Sequence, residues 1–332
     1  EIGVRLVGSE MCIRDRWYEK NKIIIVMSSS ITLRYNPQLL TGIYGINIHI
    51  NKPEVNYRIQ FEEKVQFAGN ISNDLHAFRI TRDNLLINGI EPDEHIFELA
   101  NECSKIIYPI TLLTNNKGLC HMVRNDDIRQ RWLEKKYNIE KRFVGEGSEL
   151  YISLLEDKIN NPDYISLLVE KDLFISLFFG LMYGIRIVPD KMIKRCIPVL
   201  PFDDPVEFTC QSSVRECEKN KDLIVRENGS LSDEVCLHKL IKNEQNNILA
   251  PEGRTLSGVC DIKYTLDIEY HNIKSLEGAF VLKNGESNIM DIVVTAYYLS
   301  EKSTEAIQDV YIDRLRDDHG DIKKSWLHKL LT

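Results

Sequence analysis

The most apolar stretch of the chain lies at residues 164–184 and reads YISLLVEKDLFISLFFGLMYG. Beyond residue 172 it carries no charge before Arg186. A helix that spans a membrane needs about 20 consecutive apolar residues, whereas this run is shorter, follows three charged residues at 170–172 and is followed by Pro189. The stretch therefore predicts a helix buried in a protein core, and no membrane partner is expected.

A start signal for this helix stands at residues 161–163, Asn-Pro-Asp. The residue before a proline avoids the helical region, and an aspartate beside it can accept hydrogen bonds from the free N–H groups of the first turn. Asp163 is the predicted N-cap. From residue 165 to 178 the apolar side chains recur every three or four positions, so one face of the helix is expected to lie against the core.

The first 26 residues differ in character from the rest. Residues 1–16, EIGVRLVGSEMCIRDR, resemble translated sequencing-adapter read-through, and the Lys-, Asn- and Ile-rich residues after them resemble a translated AT-rich leader. Met27 is therefore the expected start, and residues 1–26 are expected to be a non-native leader. Without them the net charge changes from −8 to −9, because they hold five Lys or Arg and four Asp or Glu.

This acidic balance argues against non-specific nucleic-acid binding, which depends on basic surface that replaces counterions. No nucleic-acid partner is expected. The sequence that starts at Met27, MSSSITLRYNP, contains neither the basic nor the apolar segment of a secretion signal. The seven cysteines beyond residue 26 show no close pairing, which is typical of reduced thiols. These features predict a cytoplasmic protein.

Several stretches alternate apolar and polar residues, as strands with one covered face do. Residues 46–50 and 55–61 alternate on either side of a break at Pro53, which predicts an antiparallel hairpin. Residues 259–270 form the longest alternation and predict a strand with one dry and one wet face. Residues 289–299 are apolar on both faces, so this strand is expected to lie in the middle of a sheet. A turn is predicted at Asn228-Gly229.

These patterns predict an α+β fold, in which an antiparallel β-sheet frame from the N- and C-terminal sections packs on a central helical segment. The expected division is a leader at 1–26, a strand-rich section with one helix at 27–124, the central helical segment at 125–188, an irregular connection followed by antiparallel strands at 189–300, and a helical tail at 301–332.

Two more helices are predicted within the central helical segment. On the first, Ile128, Trp132 and Leu133 are expected to face the core, while basic residues crowd the other side. The second is expected to begin with Ser148 as its cap. Its predicted inward positions are Leu150, Leu154, Leu155 and Ile159.

The segments YPITLLTNNKG, RNDDIRQRW and EKDLFISLFFGLMYG, followed later by GVCDIKYTLDIEY, are similar in cadence to a set of functionally unassigned bacterial proteins. In that family a strand-rich frame encloses a helical insert. The resemblance implies the same arrangement and a bacterial origin for this chain. It implies no catalytic residues, because the matching positions are packing and turn positions.

Motifs for metal or nucleophile chemistry are sparse. Cys210 and Cys217 are separated by six residues, Cys236 and His238 form a single C-x-H, and no C-x-x-C or H-E-x-x-H joins them. The acidic residues and histidine at 317–321 are typical of a solvated turn. No G-x-S-x-G elbow is present. We therefore assign no catalytic, cofactor-binding or metal-binding residue, and no cofactor is expected.

Because no catalytic motif stands out, binding is the expected function. The leading hypothesis is a non-enzymatic protein-binding module, an adaptor or chaperone, that holds a protein partner with its sheet edges and basic helix. The alternatives are a carrier of a small apolar ligand in a cavity between the central helix and the 259–270 strand, and an enzyme of unrecognised class. The candidate binding residues lie at the predicted sheet–helix junction or beside the basic helix: Tyr57, Arg131, Trp132, Tyr183, Arg186 and Tyr264.

Overall fold

A computed structural model describes residues 30–299 of the chain, apart from residues 54, 93–94, 125, 162–168, 190, 200–204, 233–255 and 286. The predicted leader, the N-cap at Asp163, Cys236 with His238, and the tail from residue 301 lie outside the described residues.

Thirteen strands are described. In chain order they are β1 (Ile31–Thr32), β2 (Gly42–Lys52), β3 (Val55–Ser72), β4 (Leu75–Ile87), β5 (Ile110–Asn115), β6 (Cys120–Arg124), β7 (Arg186–Ile187), β8 (Met192–Ile197), β9 (Val206–Cys217), β10 (Asp222–Leu231), β11 (Leu256–Asp267), β12 (Ile273–Asn284) and β13 (Ser287–Leu299). β1 and β7 pair with each other, and the other eleven form one antiparallel sheet with the order β6-β5-β4-β3-β2-β13-β12-β11-β10-β9-β8.

Strands that pair within the sheet are consecutive in the chain, except where β2 pairs with β13. That junction joins the N-terminal and C-terminal strands into one frame, as the alternation of the sequence predicted. The predicted hairpin of residues 46–50 and 55–61 is confirmed as β2 and β3. β13 is the sixth of eleven strands, so the prediction of a central strand from its two apolar faces is confirmed as well.

The turn predicted at Asn228-Gly229 is wrong. Both residues lie inside β10, where Gly229 pairs with Cys210 of β9 and with Cys260 of β11. A short-range turn signal is overridden here because both neighbouring strands supply hydrogen-bond partners. The irregular connection predicted after residue 189 also contains an edge strand, β8, at Met192–Ile197.

Four α-helices are described, together with a short 3-10 helix at Pro37–Leu40. The α-helices are α1 (His95–Ile107), α2 (Asp126–Arg142), α3 (Glu146–Asn160) and α4 (Leu173–Phe178). The long central helix predicted from the apolar run is interrupted. Asp172 leaves the helical conformation and caps α4, because its Oδ1 accepts a hydrogen bond from the N–H of Ile175 at 3.0 Å.

Three side chains predicted to face the core lie at the surface. Leu133 is 71% exposed, Leu150 60% and Leu154 48%. Ser148 is buried in the first turn of α3 and is not its cap, since Gly145 occupies that position. The predictions for Ile128, Trp132, Leu155 and Ile159 are confirmed, since all four are buried. The other buried positions on these helices are Ile139 on α2 and Ser148 and Ile152 on α3.

The sheet curves around residues 169–183. The Phe179 ring packs on Phe78 of β4 with centroids 5.3 Å apart, and the carbonyl of the next residue, Gly180, accepts a hydrogen bond from Arg195 of β8. β4 and β8 are eight strand intervals apart, which would be about 38 Å in a flat sheet. Since adjacent residues contact both strands, the concave face of the sheet must enclose the apolar run.

Gly278 permits the close approach of α4 to the centre of this concave face. A Cβ atom at Gly278 would lie 2.9 Å from Cγ1 of Val294 and 3.2 Å from Cδ1 of Leu177. Among the helices of the described ranges, none combines the length and the apolar character needed to cross a membrane.

We expect Phe179→Ala to lower the free energy of unfolding by roughly 3–5 kcal/mol, because it leaves a cavity between the central run and β4. Tyr270→Ala is the matched control: its ring is 52% exposed, and its loss should cost less than about 0.5 kcal/mol. Urea denaturation of both variants measures the difference. Equal losses would contradict the position of the apolar run against the sheet.

Candidate functional site

β4 is longer than its neighbour β5, so part of the edge of β4 is not paired with β5. β5 pairs with residues 75–80 of β4, and residues 81–87 continue beyond it. Within this extension the pairing of β3 with β4 gains one extra residue, and Asn84 adopts a φ of 54°. Asparagine tolerates this left-handed conformation better than most residues. The bulge changes the direction in which the side chains of this part of β4 point.

A cavity of about 770 Å³ lies along this extension, between β3, β4 and helix α1. We call it the edge cleft. Its volume is within the range of about 300–1,000 Å³ that is usual for small-molecule sites. The apolar residues of its wall are Phe61, Leu85, Leu86, Ile90, Pro92 and Leu299.

Gln60 is the polar residue of the edge cleft with unmet hydrogen-bonding capacity. Gln60 is 2% exposed. Among the described residues, neither its Oε1 nor its Nε2 has a hydrogen-bond partner. A buried amide without partners costs about 1–3 kcal/mol relative to its hydrated state. Both atoms are shielded from water, so a bound molecule can satisfy this donor and acceptor only if the Gln60 side chain turns into the cleft.

Arg82 connects the edge cleft to the core. Its Nε donates a hydrogen bond of 2.8 Å to Oε1 of Glu63, and its terminal nitrogen contacts one carboxyl oxygen each of Glu63 and Asp172. The hydroxyl of Tyr108 donates to Oδ2 of Asp172 at 2.9 Å. The guanidinium also lies over two rings, 4.1 Å from the centroid of Phe61 and 4.3 Å from that of Tyr108. We call Glu63, Arg82, Tyr108 and Asp172 the buried ion cluster.

Burial is the main cause that raises the pKa of Glu63 to about 8; the charge of Arg82 opposes this rise and the charge of Asp172 adds to it. Burial also raises the pKa of Tyr108 well above its ordinary value. At pH 7 Glu63 therefore retains its proton, and the guanidinium is balanced by the Asp172 carboxylate. Because Arg82 is already paired within the protein, its charge offers little attraction to an anion in the cleft.

The remaining charges of the edge cleft are mostly negative. Glu62, Asp83 and Glu91 line it, and Glu62 accepts a hydrogen bond of 3.0 Å from the amide of Asn84. Lys105 is the cation at the rim, and its Nζ lies 2.7 Å from a carboxylate oxygen of the neighbouring Glu102. The local field therefore disfavours anionic molecules and favours neutral or cationic ones.

A second set of buried polar groups holds the central run to the C-terminal strands. Arg195 donates to the carbonyl of Gly180 and, at 2.8 Å, to the hydroxyl of Tyr264; its Nε is 3.1 Å from Oε2 of Glu227, an ion pair without hydrogen-bond geometry. The Tyr264 hydroxyl donates in turn to the carbonyl of Leu177 at 3.0 Å. The two layers are thus in direct contact at Tyr264, where the sequence suggested a carrier cavity.

Two thiols meet beside this set. Sγ of Cys210 and Sγ of Cys260 are 3.4 Å apart, and they approach across Gly229, where a Cβ would lie 2.5 Å from the Cys210 sulfur. Their strands are two spacings apart, about 9.5 Å, whereas disulfides need Cα atoms within about 7 Å. The contact is therefore a packing contact of thiols. Within the described ranges, no three His, Cys, Asp or Glu side chains converge as a metal site requires.

The six residues predicted for binding lie in different parts of the structure and do not form one site. The buried ones are Tyr57, Trp132, Tyr183 and Tyr264. Arg131 donates hydrogen bonds to three carbonyl groups at the end of α1, those of Ile106, Ile107 and Pro109. Arg186 is exposed and donates to Ser30. None of the six lines the edge cleft, and their part in binding stays a prediction.

The residues of the buried ion cluster were missed, although two of them left a signal in the sequence. Glu63 occupies the same face of the β3 alternation as Phe61 and Val65, which places a carboxylate on the core side of a strand. Asp172 interrupts the apolar run. A charged residue at a core position is normally paired, so both carboxylates indicate a buried cation nearby.

No family model and no curated protein matches the chain. A solved structure described as lipid–protein interactions in lipovitellin is similar over 78% of this chain and 24% of the other, with 12% identity and a TM-score of 0.40. The chain thus spans about a quarter of that protein. A structure from Nostoc punctiforme, a protein of unknown function from the DUF3598 family, aligns over 80% of this chain and 100% of the other, with 7% identity and a TM-score of 0.14.

We predict that Glu63→Gln removes part of the pH dependence of stability. With a native pKa of about 8 and an ordinary pKa in the unfolded chain, Glu63 is protonated when folded and ionised when unfolded between these values. Its contribution to stability is complete below the unfolded pKa and is lost as pH rises, with a slope near 1.4 kcal/mol per pH unit.

Urea denaturation from pH 5 to pH 8 measures this slope. Glu63→Gln should flatten it, since glutamine does not titrate. The control is Glu62→Gln, on the same strand but on its other face, which should retain the slope of the wild type. An unchanged slope in the Glu63 variant would show that Glu63 is ionised in the folded protein.

Proposed function

We propose that this protein binds a small neutral or cationic molecule with an apolar body in the edge cleft. The observation that carries the proposal is the Gln60 amide, buried against a cavity of about 770 Å³ with both of its polar atoms unpartnered. Folded proteins satisfy nearly all such groups, so an unpartnered amide in the wall of a cavity needs a specific explanation, and a bound molecule supplies one.

The walls of the cleft support the chemical class of the ligand. Its apolar side chains can cover a hydrocarbon or aromatic body, and the carboxylates of Glu62, Asp83 and Glu91 oppose an anionic head. The Gln60 amide offers one acceptor and two donors. A carboxamide, a lactam or a similar edge that donates and accepts side by side matches this pattern.

This proposal develops the carrier hypothesis, with the cavity at the edge of β4 and not at the contact between β11 and the central run. The fixed surroundings of Arg82 favour a preformed site, because the buried ion cluster holds the base of the cleft from three sides. Protein binding stays a prediction, and so does the alternative of an enzyme of unrecognised class.

Titration with two dyes tests the proposal. The neutral apolar dye Nile red should bind saturably with one site per chain, and the anionic dye 1-anilinonaphthalene-8-sulfonate should bind at least about tenfold more weakly, since the cleft is lined by carboxylates. Ser104→Trp places an indole in the cleft and should abolish the Nile red site.

Glu98→Trp is the matched control, because it introduces the same side chain on the same helix at a position that does not line the cleft. It should leave binding intact. Saturable binding that survives Ser104→Trp would place the site elsewhere, and an absence of saturable binding to the wild type would overturn the proposal.

A second prediction concerns Gln60 itself. Gln60→Leu should raise the free energy of unfolding of the ligand-free protein by about 1 kcal/mol, because it replaces an unpartnered buried amide by an apolar group of similar size. The same variant should weaken the binding of Nile red, whose carbonyl and ring nitrogen accept hydrogen bonds, by about threefold to tenfold. Thermal unfolding and dye titration measure the two effects, and a loss of stability would show that the amide is satisfied.

A further inference from the structure

The wall of the edge cleft contains the last described residue of the chain. Leu299 ends β13, is buried and lines the cleft. The sequence continues from this wall with residues 300–332, which lie outside the described residues. These residues therefore begin beside the cleft, and a segment of them with suitable chemistry can reach it within the same chain.

The sequence beyond Leu299 has two parts of opposite charge. Residues 300–321 contain seven Asp or Glu and three Lys or Arg. Residues 322–332, IKKSWLHKLLT, contain three Lys and no Asp or Glu. We call residues 322–332 the basic segment. It is the part of this sequence that an acidic surface would attract.

The basic segment combines its charge with an apolar pattern. Ile322, Trp326 and Leu330 follow one another at intervals of four residues, a spacing that places side chains on one stripe of a helix. On such a helix, Lys323 and Lys329 would flank this stripe, one on each side. The pattern therefore predicts a narrow apolar face with cations at its borders.

The edge cleft has three carboxylates for which the described residues supply no ion-pair partner. These are Glu62, Asp83 and Glu91, and none of them takes part in an ion pair of the described chain. The two cations of the cleft, Arg82 and Lys105, are each paired with another carboxylate. The cleft therefore combines an apolar wall with uncompensated negative charge, which complements the basic segment.

We propose that the basic segment occupies the edge cleft of its own chain when no ligand is bound, so that ligands must displace it. This inference rests on the proposed function, because it adds regulation to the same site. The apolar stripe lies against the apolar wall, and Lys323 and Lys329 face the carboxylates. The indole N–H of Trp326 supplies a donor for the Gln60 amide when that side chain turns into the cleft.

The connection between the cleft and the basic segment makes even a weak contact effective. As a random coil, residues 300–321 would span about 26 Å on average. A connection of this length gives an effective concentration on the order of 1 mM. A contact with an intrinsic dissociation constant of about 0.1–0.5 mM would then weaken the apparent affinity for a ligand about threefold to tenfold.

Titration of the full chain with Nile red measures the competition. The double variant Lys323→Glu with Lys329→Glu should bind the dye about threefold to tenfold more tightly than the wild type, because carboxylates repel the reversed charges and the cleft is left open. The matched control is Arg314→Glu with Arg316→Glu, which makes the same two charge reversals outside the basic segment. Its affinity should equal that of the wild type, since the dye itself is neutral.

Hydrogen exchange of the basic segment tests its position without any dye. Its amides should exchange about threefold to tenfold faster in Ser104→Trp than in the wild type, because the new indole fills the cleft. Asn101→Trp, at a second position of α1 that lines the cleft, should have the same effect. Glu98→Trp is the control on the same helix and should leave the exchange unchanged.

Three outcomes would overturn the inference: equal dye affinities in the wild type and the Lys323→Glu, Lys329→Glu variant, equal tightening in the control with reversed arginines, or exchange that neither tryptophan in the cleft accelerates. Protection of the basic segment that rises between about 1 and 50 μM protein would also overturn it, because the segment would then bind a second copy. If no variant binds Nile red saturably, the proposed function fails, and hydrogen exchange still decides where the basic segment lies.

Discussion

The interaction on which the rest of the structure depends is the contact of Asp172 with Arg82. Asp172 ends the preceding turn, caps α4 and pairs with a guanidinium on β4, so one carboxylate fixes both the start of the central helix and its position on the sheet. Because this pair is largely removed from water, losing either partner would leave the other charge uncompensated, which costs far more than the loss of a surface pair. The concave sheet and the apolar run are held in register at this point.

The same pair determines the character of the edge cleft. An arginine beside a cavity would ordinarily suggest an anion site, but here Glu63 and Asp172 surround the guanidinium, and Phe61 and Tyr108 cover its faces. The unpartnered amide belongs to Gln60, which directly precedes Phe61 on β3. In the site that we propose, structural support and ligand recognition are thus assigned to different side chains, and the base of the site stays rigid.

Much of the fold could be predicted from the sequence, because strands with one covered face show their alternation directly. The residues of β2, β3 and β11 indicated their buried sides, and the apolar residues on both faces of β13 indicated its central place. The helices were harder. Leu133, Leu150 and Leu154 match a core-facing spacing as well as the buried positions do, and periodicity cannot choose between two apolar stripes on one helix.

The sequence by itself determined the fold class, the hairpin of β2 and β3, the central place of β13 and the burial of the apolar run, since all four follow from local periodicity and length. Only the tertiary structure decided the candidate site. Arg82 and Asp172 are far apart in the chain, and they meet because the sheet curves until β4 and the central run touch. Helix α1 then encloses the cleft beside Gln60 and Arg82. Curvature is a property of the whole sheet, set by the accumulated twist and bulges of many strands, and no short stretch of sequence contains it.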